Sequence, residues 1–520
     1  MKKTISIMIF IFYVFSIFSN EVSIEWNKPE ITSGNQISIL QQNIEEVNIL
    51  PGHRDENFYF ALEDWSIFKL ALKNFLLSDS NNHKFISYHS NDNKKKILLP
   101  GTKENLDKSS VSSPKIDFDF QLFTGYDYVS NLNDNYSFAY YGANLSGHIQ
   151  QKLFFYSHWW AGHFAGDIDY AEDSKLNDSW TQKSDDNDQF HIDNVTGKLL
   201  YQLTPNFNAA IGRGKYEIGN NIAGSVILNN DCNDYGYLST NFNFKTLSIS
   251  MLHSTLLADS TIAGPKDYPD KYLALHKINW NPSKKLEIFA GESVVYGDRG
   301  IDLNYLVPIT FWRAVEHNQA DRDNVLVFAG LNYEPFDFDI FYTNFILDEL
   351  SKSKFFSDWW GNKYAIQTGY SHKLSDVTCN NRITFELTAI RPWLYTHKYI
   401  QNKYSNNGIG LGFPGGSNLL NYAVEMDYSI LPNLSMSLHA AYQRKGSVGN
   451  DFSINYESRD RDLDEDTHWL EGDITDKSNV RLITDWQFSS HHRIIFGFSV
   501  SKIDDLGLQK EASLSYQARY

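Results

Sequence analysis

Aromatic, cationic and carboxylate side chains recur together where extended segments of this chain end. Rings flanked by charged hydrogen-bonding groups suit carbohydrate, because sugar C–H faces lie on rings and hydroxyls bond to a few charged groups. For any single residue, a membrane-interface girdle or a surface ion pair is the simpler explanation; the cluster as a whole favours binding. The candidate polysaccharide-binding residues are Tyr296, Arg299, Trp312, Arg313, Glu316, Asp348, Trp359, Trp360, Arg391, Trp393, Tyr395 and His397.

A second pattern concerns metal binding. Five carboxylates have the spacing of ligands in a calcium loop, but Glu465 stands where such a loop needs glycine. A solvated acidic loop is therefore the favoured interpretation of 446–478, and a weak surface calcium site is the alternative. We expect no other cofactor. The possible calcium ligands are Asp460, Asp462, Asp464, Asp466 and Glu471.

The composition excludes several function classes. The formal net charge is −17, which argues against a nucleic-acid-binding face. Two cysteines cannot build a disulfide scaffold or a thiolate zinc site. The chain has no Gly-x-Ser-x-Gly elbow, phosphate loop or His-Glu-x-x-His motif, so we do not expect an enzyme. A hydrolase acting on lipid or glycan remains a third possibility.

The elements that must position these residues are strands. From about residue 117 the chain alternates apolar and polar residues with period two, as in the final stretch from Ala512 to Tyr520. Eighteen such stretches can be counted, an even number as in bacterial single-chain barrels. Aromatic residues make up 15% of the chain and the mean hydropathy is only −0.41. The pattern predicts an all-β transmembrane barrel of about 18 antiparallel strands.

Connection lengths indicate the orientation of this barrel. Tight turns, such as Leu431-Pro432-Asn433, alternate with longer loops, such as 391–419 and 446–478. Short turns are typical of the periplasmic side and long loops of the outside. We therefore expect a bacterial outer-membrane protein with both termini in the periplasm.

The N-terminal part differs from the rest. Lys2 and Lys3 precede an apolar run, which predicts a signal peptide over 1–19. Residues 20–116 are predicted to form a small periplasmic or plug region with one amphipathic helix, Phe60–Leu77. The barrel domain is predicted to span 117–520.

Two single-residue expectations follow from the topology. Glu292 shares parity with Leu286 and Ile288, so it faces lipid unless a bulge at Gly291 shifts the register. Cys232 and Cys379 fall at opposite ends of the barrel, so we expect both to be unpaired.

The stretch from Tyr272 to Asn418 resembles the capsule assembly Wzi family of outer-membrane proteins. The resemblance rests on the order and spacing of short pieces, which are most specific at Glu386 and Arg391–His397. Such a resemblance implies an 18-stranded barrel with a helical periplasmic region and a lectin-like role toward capsular polysaccharide. The matching pieces include Gly291–Gly297, Tyr305–Pro308, Leu347–Glu349, Trp360–Lys363 and Gly410–Gly412.

The sequence thus favours a protein that binds capsular or other surface polysaccharide. The alternative is an outer-membrane porin or specific solute channel. The expected partners are polysaccharide, outer-membrane lipid and lipopolysaccharide, and no nucleic acid.

Overall fold

The computed structural model describes residues 116–520 except 132, 151, 168–169, 172–188, 259–268, 350, 352, 355–356, 375–380 and 505. The predicted signal peptide and the predicted helix Phe60–Leu77 lie outside the described residues. Among the residues described, no helix is long and apolar enough to cross a membrane.

The described part of the chain forms a closed 18-stranded antiparallel barrel, so the predicted strands are confirmed. Each barrel strand pairs with the next barrel strand along the chain, and the first pairs with the last to close the sheet. The strands are β1 (Ile116–Ser130), β2 (Asn135–Ile149), β3 (Leu153–Gly166), β4 (Gln189–Thr204), β5 (Phe207–Gly214), β6 (Tyr235–Phe244), β7 (Leu247–Leu256), β8 (Lys271–Ser283), β9 (Leu286–Gly297), β10 (Asn324–Tyr333), β11 (Asp339–Glu349), β12 (Lys363–Lys373), β13 (Arg382–Ile390), a small separate hairpin of β14 (Ser405–Asn406) and β15 (Ile409–Gly410), then β16 (Leu419–Leu431), β17 (Leu434–Gly446), β18 (Ile474–Trp486), β19 (His492–Ile503) and β20 (Gly507–Arg519).

Helical structure in the described ranges is confined to the connections. One α-helix, α1, spans Trp312–Asn318. Short 3-10 helices span Leu303–Leu306, Ile400–Asn402, Tyr456–Ser458 and Arg461–Leu463.

Successive side chains of each strand point alternately to the outside and to the inside of the barrel. In β13, Phe385 and Leu387 point outward and are exposed, whereas Glu386 and Thr388 point inward and are buried. Large apolar side chains recur at outward positions around the barrel, and a belt of this kind faces lipid in membrane barrels. Other members of the belt are Leu122, Ile211, Leu238, Ile278, Trp280, Phe496 and Leu514.

Long connections gather at one end of the barrel, which we call the long-loop end. One of its strands differs from expectation: β18 begins at Ile474, five residues before the predicted start at 479. Asp476 falls within the predicted connection 446–478, but it accepts hydrogen bonds from Tyr442 Oη (2.7 Å) and Arg444 Nε (3.1 Å) of β17. These bonds extend the strand pair beyond the apolar belt.

Two long connections fold into the barrel: the lumen segment (215–234) and the cap segment (391–418). They are joined by hydrogen bonds from Tyr395 Oη to the Val226 carbonyl (2.6 Å) and from Tyr404 Oη to the Ile227 carbonyl (2.8 Å). Val226, Ile227 and Leu228 are fully buried, and burial of each stabilises the arrangement by about 2 kcal/mol. The core they form with β6–β13 and β16 also includes Cys232, Leu273, Phe289, Leu326, Phe328, Ile346, Ile390, Leu411, Phe413 and Leu419.

This core occupies one side of a barrel that, at 18 strands, is wide enough for an aqueous channel. The sequence predicted a periplasmic or plug region over 20–116, and residues 20–115 lie outside the described residues. In the described structure, the lumen segment fills part of the barrel interior. Cys232 is buried in it, and Cys379 lies outside the described residues, so the absence of a disulfide between them stays a prediction.

Candidate functional site

The twelve predicted binding residues separate into two groups in the structure. Five of them belong to, or contact, the outer-wall segment (298–323), which lies against the outside of the barrel. Within this segment Tyr305 and Trp312 pack on Ala274, Val294 and Val325. Those three wall residues have the same parity as lipid-facing Ile278 and Leu331, so the segment covers part of the outer wall.

Arg299 and Tyr296 hold the base of the outer-wall segment. Both terminal nitrogens of the Arg299 guanidinium donate to Asp323, at 2.9 and 2.7 Å, and Tyr305 Oη donates to the same carboxylate at 2.7 Å. The guanidinium also lies 4.7 Å from the centre of the Tyr296 ring. Tyr296 is fully buried, so its ring serves packing in this structure.

Trp312, Arg313 and Glu316 lie on α1 of the same segment. Arg313 Nη1 donates to Glu316 Oε2 at 2.8 Å and approaches Asp321 Oδ1 at 3.5 Å. Burial raises the pKa of Glu316 to about 7, and Arg313 opposes that rise. Glu316, His317 and Asp321 are also the one group of three potential metal ligands that the described ranges bring together. Arg313 supplies a positive charge to the two carboxylates of that group.

The second group lies at the long-loop end and contains an aromatic row, defined as Trp359, Trp360, Tyr456, His397 and Tyr399. Successive ring centres are 6.1, 5.6, 6.3 and 5.6 Å apart. Trp360 and His397 are buried, Trp359 and Tyr456 are partly exposed, and Tyr399 is 44% exposed. The row therefore offers open ring surface at both of its ends.

Cations lie over the rings of this row. The Arg459 guanidinium is 3.5 Å from the centre of Trp360, and Lys363 Nζ is 4.3 Å from the centre of Tyr456. Lys354 lies over Trp359 and Lys398 over Tyr399, at 5.3 and 5.2 Å. A cation over an aromatic face is worth about 0.5–2 kcal/mol, depending on its desolvation. These contacts fix the rings and place donors for hydroxyl or anionic groups beside them.

Two of these cations, Lys363 and Arg459, form ion pairs with carboxylates. Lys363 is almost fully buried, and its ammonium group lies 3.2 Å from Glu349 and 3.8 Å from Asp348. Arg459 makes a two-bond pair with Asp464, at 2.8 and 3.0 Å. Of the predicted residues, Asp348 thus supports the row by holding Lys363.

The start of the cap segment positions the rest of the group. Trp393 and Tyr395 have φ values of +69° and +70°, a left-handed backbone that is costly for residues with large side chains. This turn sends Tyr395 into the core and His397 into the row. Arg391 holds the neighbouring connections by donating to the carbonyls of Asn362 (3.2 Å) and Thr467 (3.1 Å). Trp393 and Tyr395 are buried, so neither ring is open to a ligand here.

His397 makes the cap segment sensitive to acid. Burial, followed by the charge of Lys363, lowers the pKa of His397 to about 3, and its Nδ1 accepts a hydrogen bond from the Tyr399 N–H at 3.1 Å. The neutral ring is therefore favoured in the folded state, whereas an unfolded segment takes up a proton below about 6.5. The contribution of the neutral His397 ring to docking of the cap segment is therefore complete above about pH 6.5 and is lost progressively as the pH falls below that value.

We expect acidification from pH 7 to pH 5 to weaken docking of the cap segment by about 2 kcal/mol. Hydrogen exchange of peptides from 391–404 at the two pH values, corrected for intrinsic rates, measures this change. His397→Asn is the control, because its amide oxygen can accept the Tyr399 N–H without titrating. Equal pH dependence in wild type and variant would contradict the assignment to His397.

The predicted calcium ligands have other partners in the structure. Asp464 binds Arg459, Asp460 accepts the Asp462 N–H at 3.0 Å, and Glu471 accepts the His468 N–H at 2.7 Å. Within the described ranges these carboxylates, with Asp466, do not form a group whose oxygens could share one ion. Calcium binding by this loop stays a prediction.

Sequence reasoning missed several members of the site. Tyr456, Arg459 and Trp469, whose ring centre lies 5.7 Å from the Arg391 guanidinium, belong to a connection that was interpreted by its acidic residues alone. Lys363 stands beside two predicted tryptophans, and Tyr399 follows His397 by two residues. Aromatic residues within the acidic loop were the signal that could have indicated Tyr456 and Trp469.

No family model and no curated protein matches the chain. Among solved structures it is similar to the Escherichia coli outer-membrane protein Wzi, described as a carbohydrate-binding β-barrel involved in group 1 capsule assembly; identity is 12%, coverage is 76% of this chain and 84% of that one, and the TM-score is 0.49. It is also similar to Pseudomonas aeruginosa OprD, with 10% identity, coverage of 78% and 95% and a TM-score of 0.43. A third similar structure is Pseudomonas aeruginosa OccK3 (OpdO), with 11% identity, coverage of 78% of this chain and 96% of that one, and a TM-score of 0.46.

Proposed function

We propose that this protein is an outer-membrane barrel that binds surface polysaccharide at its long-loop end. The observation that carries the proposal is the aromatic row, whose ends, the partly exposed Trp359 and the exposed Tyr399, each lie beside a lysine. Sugar rings can lie on these faces while the ammonium groups bond to hydroxyl or acidic substituents. A polymer engages many such weak contacts at once, so useful retention needs no deep cavity.

The paired variant Trp359→Ala/Tyr399→Ala tests this proposal. Loss of both exposed rings is expected to remove about 2 kcal/mol of contact per repeating unit, or roughly 30-fold in affinity. The measurement is the amount of polysaccharide retained on cells of a deletion strain that carries the variant gene. Trp280→Ala/Tyr333→Ala is the matched control, because it removes two rings from the lipid-facing wall.

Retention at the wild-type level by the Trp359/Tyr399 variant, with equal amounts of folded protein in the membrane, would reject the proposed site. Retention at that level by the deletion strain itself would reject the function.

A channel for small solutes is the second candidate. It is favoured by the inward faces of β18–β20, where polar and charged residues such as Arg493, Asp485 and Glu511 lie outside the apolar core of the lumen. Steady conductance of the purified protein in planar bilayers, without retention of glycan by cells, would support the channel and reject the polysaccharide proposal.

A further inference from the structure

The outer wall of the barrel carries an ionisable pair at mid-strand. Glu292 is the seventh of the twelve residues of β9, and its partner in the register, His276, lies on β8 with Nε2 3.0 Å from Glu292 Oε2. The register through Gly291 is continuous, so no bulge turns Glu292 inward and the predicted outward parity is confirmed. A carboxylate at this position would be costly in contact with hydrocarbon.

The outer-wall segment separates this pair from its surroundings. The backbone N–H groups of Trp312 and Arg313 donate to the two Glu292 oxygens at 2.7 and 2.9 Å. The Trp312 ring stacks on His276 with centres 4.1 Å apart. Glu292 is 3% exposed as a result. The segment therefore descends along the barrel to the level of mid-strand residues.

The face that this segment turns away from the barrel is apolar. No charged residue occurs between Asp302 and Arg313. Leu303, Ile309 and Phe311 are 74%, 76% and 61% exposed, and Ile301 and Val307 are also exposed. Several of the polar groups between them are bonded internally, including the Thr310 N–H to the Val307 carbonyl and Trp312 Nε1 to the same carbonyl. Internal bonding of this kind is what an element needs in order to lie in lipid.

We infer that the outer-wall segment inserts Leu303, Ile309 and Phe311 into the hydrocarbon of the leaflet at the long-loop end. The segment covers Ala274, His276 and Val325, which lie on the same outward faces of β8 and β10 as the exposed Ile278 and Leu331. Its apolar face therefore adjoins the lipid-facing belt. Five exposed apolar side chains are also few for a protein partner, since a stable interface uses about 20–30 residues a side. The acyl chains of the surrounding leaflet are thus the occupant that fits this surface.

Spin labels on single cysteines test the inference in the full chain reconstituted into bilayers. Cys232 and Cys379 are replaced, and cysteine is introduced at Leu303, Ile309 or Phe311, with circular dichroism to verify the barrel. The readout is the ratio of collisions with oxygen, which enters hydrocarbon, to collisions with a water-soluble nickel complex. Ile278→Cys marks the lipid-facing belt, and Leu463→Cys marks an exposed apolar position in the connection between β17 and β18.

We expect the three positions to give ratios close to that of Ile278→Cys and several-fold above that of Leu463→Cys. Ratios equal to that of Leu463→Cys would overturn the inference. Dipolar broadening that disappears on dilution with unlabelled protein would also overturn it, because a second copy would then cover the segment. The result does not depend on whether the protein binds polysaccharide.

Discussion

Replacing Glu386 by alanine is expected to release the lumen segment from the barrel and to raise its conductance. The Glu386 carboxylate projects inward from β13 and accepts hydrogen bonds from the Ile222 N–H (2.9 Å), Tyr342 Oη (2.7 Å) and Gln367 Nε2 (3.2 Å). In the alanine variant these donors lose a buried acceptor, at a cost of about 1 kcal/mol or more each. The docked state should lose about 3 kcal/mol, or roughly 100-fold in its equilibrium constant.

Two measurements detect release of the lumen segment from the barrel. Hydrogen exchange reports protection of the amides in 215–234, and planar bilayers report the conductance of the same preparation. Glu386→Gln should have a smaller effect, because its remaining oxygen can serve the two donors that share Oε2. Phe385→Leu, on the lipid-facing side of the same strand, should change neither reading. Unchanged protection in Glu386→Ala would mean that the apolar contacts of Val226, Ile227 and Leu228 suffice to hold the segment.

The same experiment bears on the two candidate functions. A binding protein gains from a lumen segment that stays docked, because Val226 and Ile227 hold the cap segment through Tyr395 and Tyr404. The cap segment in turn carries His397 and Tyr399 of the aromatic row. If Glu386→Ala lowers polysaccharide retention while it raises conductance, filling of the lumen supports the binding surface. A solute channel would show higher conductance without a change in cell-surface glycan.

The alternation of apolar and polar residues was enough to predict the barrel, because it is a local property of the sequence. In β13, for example, Phe385 faces outward and Glu386 faces inward, as the alternating polarity of this strand predicts. The same counting placed Glu292 outward, and the continuous pairing of β8 with β9 through Gly291 confirms that side. Errors remained at strand ends such as Ile474, where ion pairs between neighbouring strands replace apolar patterning.

The candidate site was less predictable because its contacts join distant parts of the chain. Trp360 and Tyr456 are almost one hundred residues apart, and neither position has a pattern that indicates the other. Arg299 and Trp312 have the residue types of a sugar site, yet they pack the outer-wall segment onto the barrel. Whether a connection turns inward, outward or over the rim depends on such long-range contacts, which strand counting does not include.

Replacing Asp323 by alanine is expected to detach the base of the outer-wall segment. The Asp323 side chain is fully buried and accepts hydrogen bonds from both Arg299 and Tyr305. Its removal leaves the Arg299 guanidinium with Asp302 as its remaining carboxylate partner, at 3.2 Å, and leaves Tyr305 Oη without its acceptor. The loss of these charge-assisted hydrogen bonds should cost about 3 kcal/mol. The segment between these residues should then lose protection against hydrogen exchange by roughly 100-fold or more.

Asp321→Ala is the matched control for this prediction. Asp321 belongs to the same segment and lies near Arg313, but its side chain is 59% exposed, so its ion pairs should contribute about 0–1 kcal/mol. A segment held mainly by Asp323 will open in one variant and stay docked in the other. Equal protection of the outer-wall segment against hydrogen exchange in the two variants would mean that Asp323 does not hold the segment. The backbone hydrogen bonds from Trp312 and Arg313 to Glu292 would then be its main attachment. Glu292→Gln would then be the more damaging change, because its amide group would face a backbone donor.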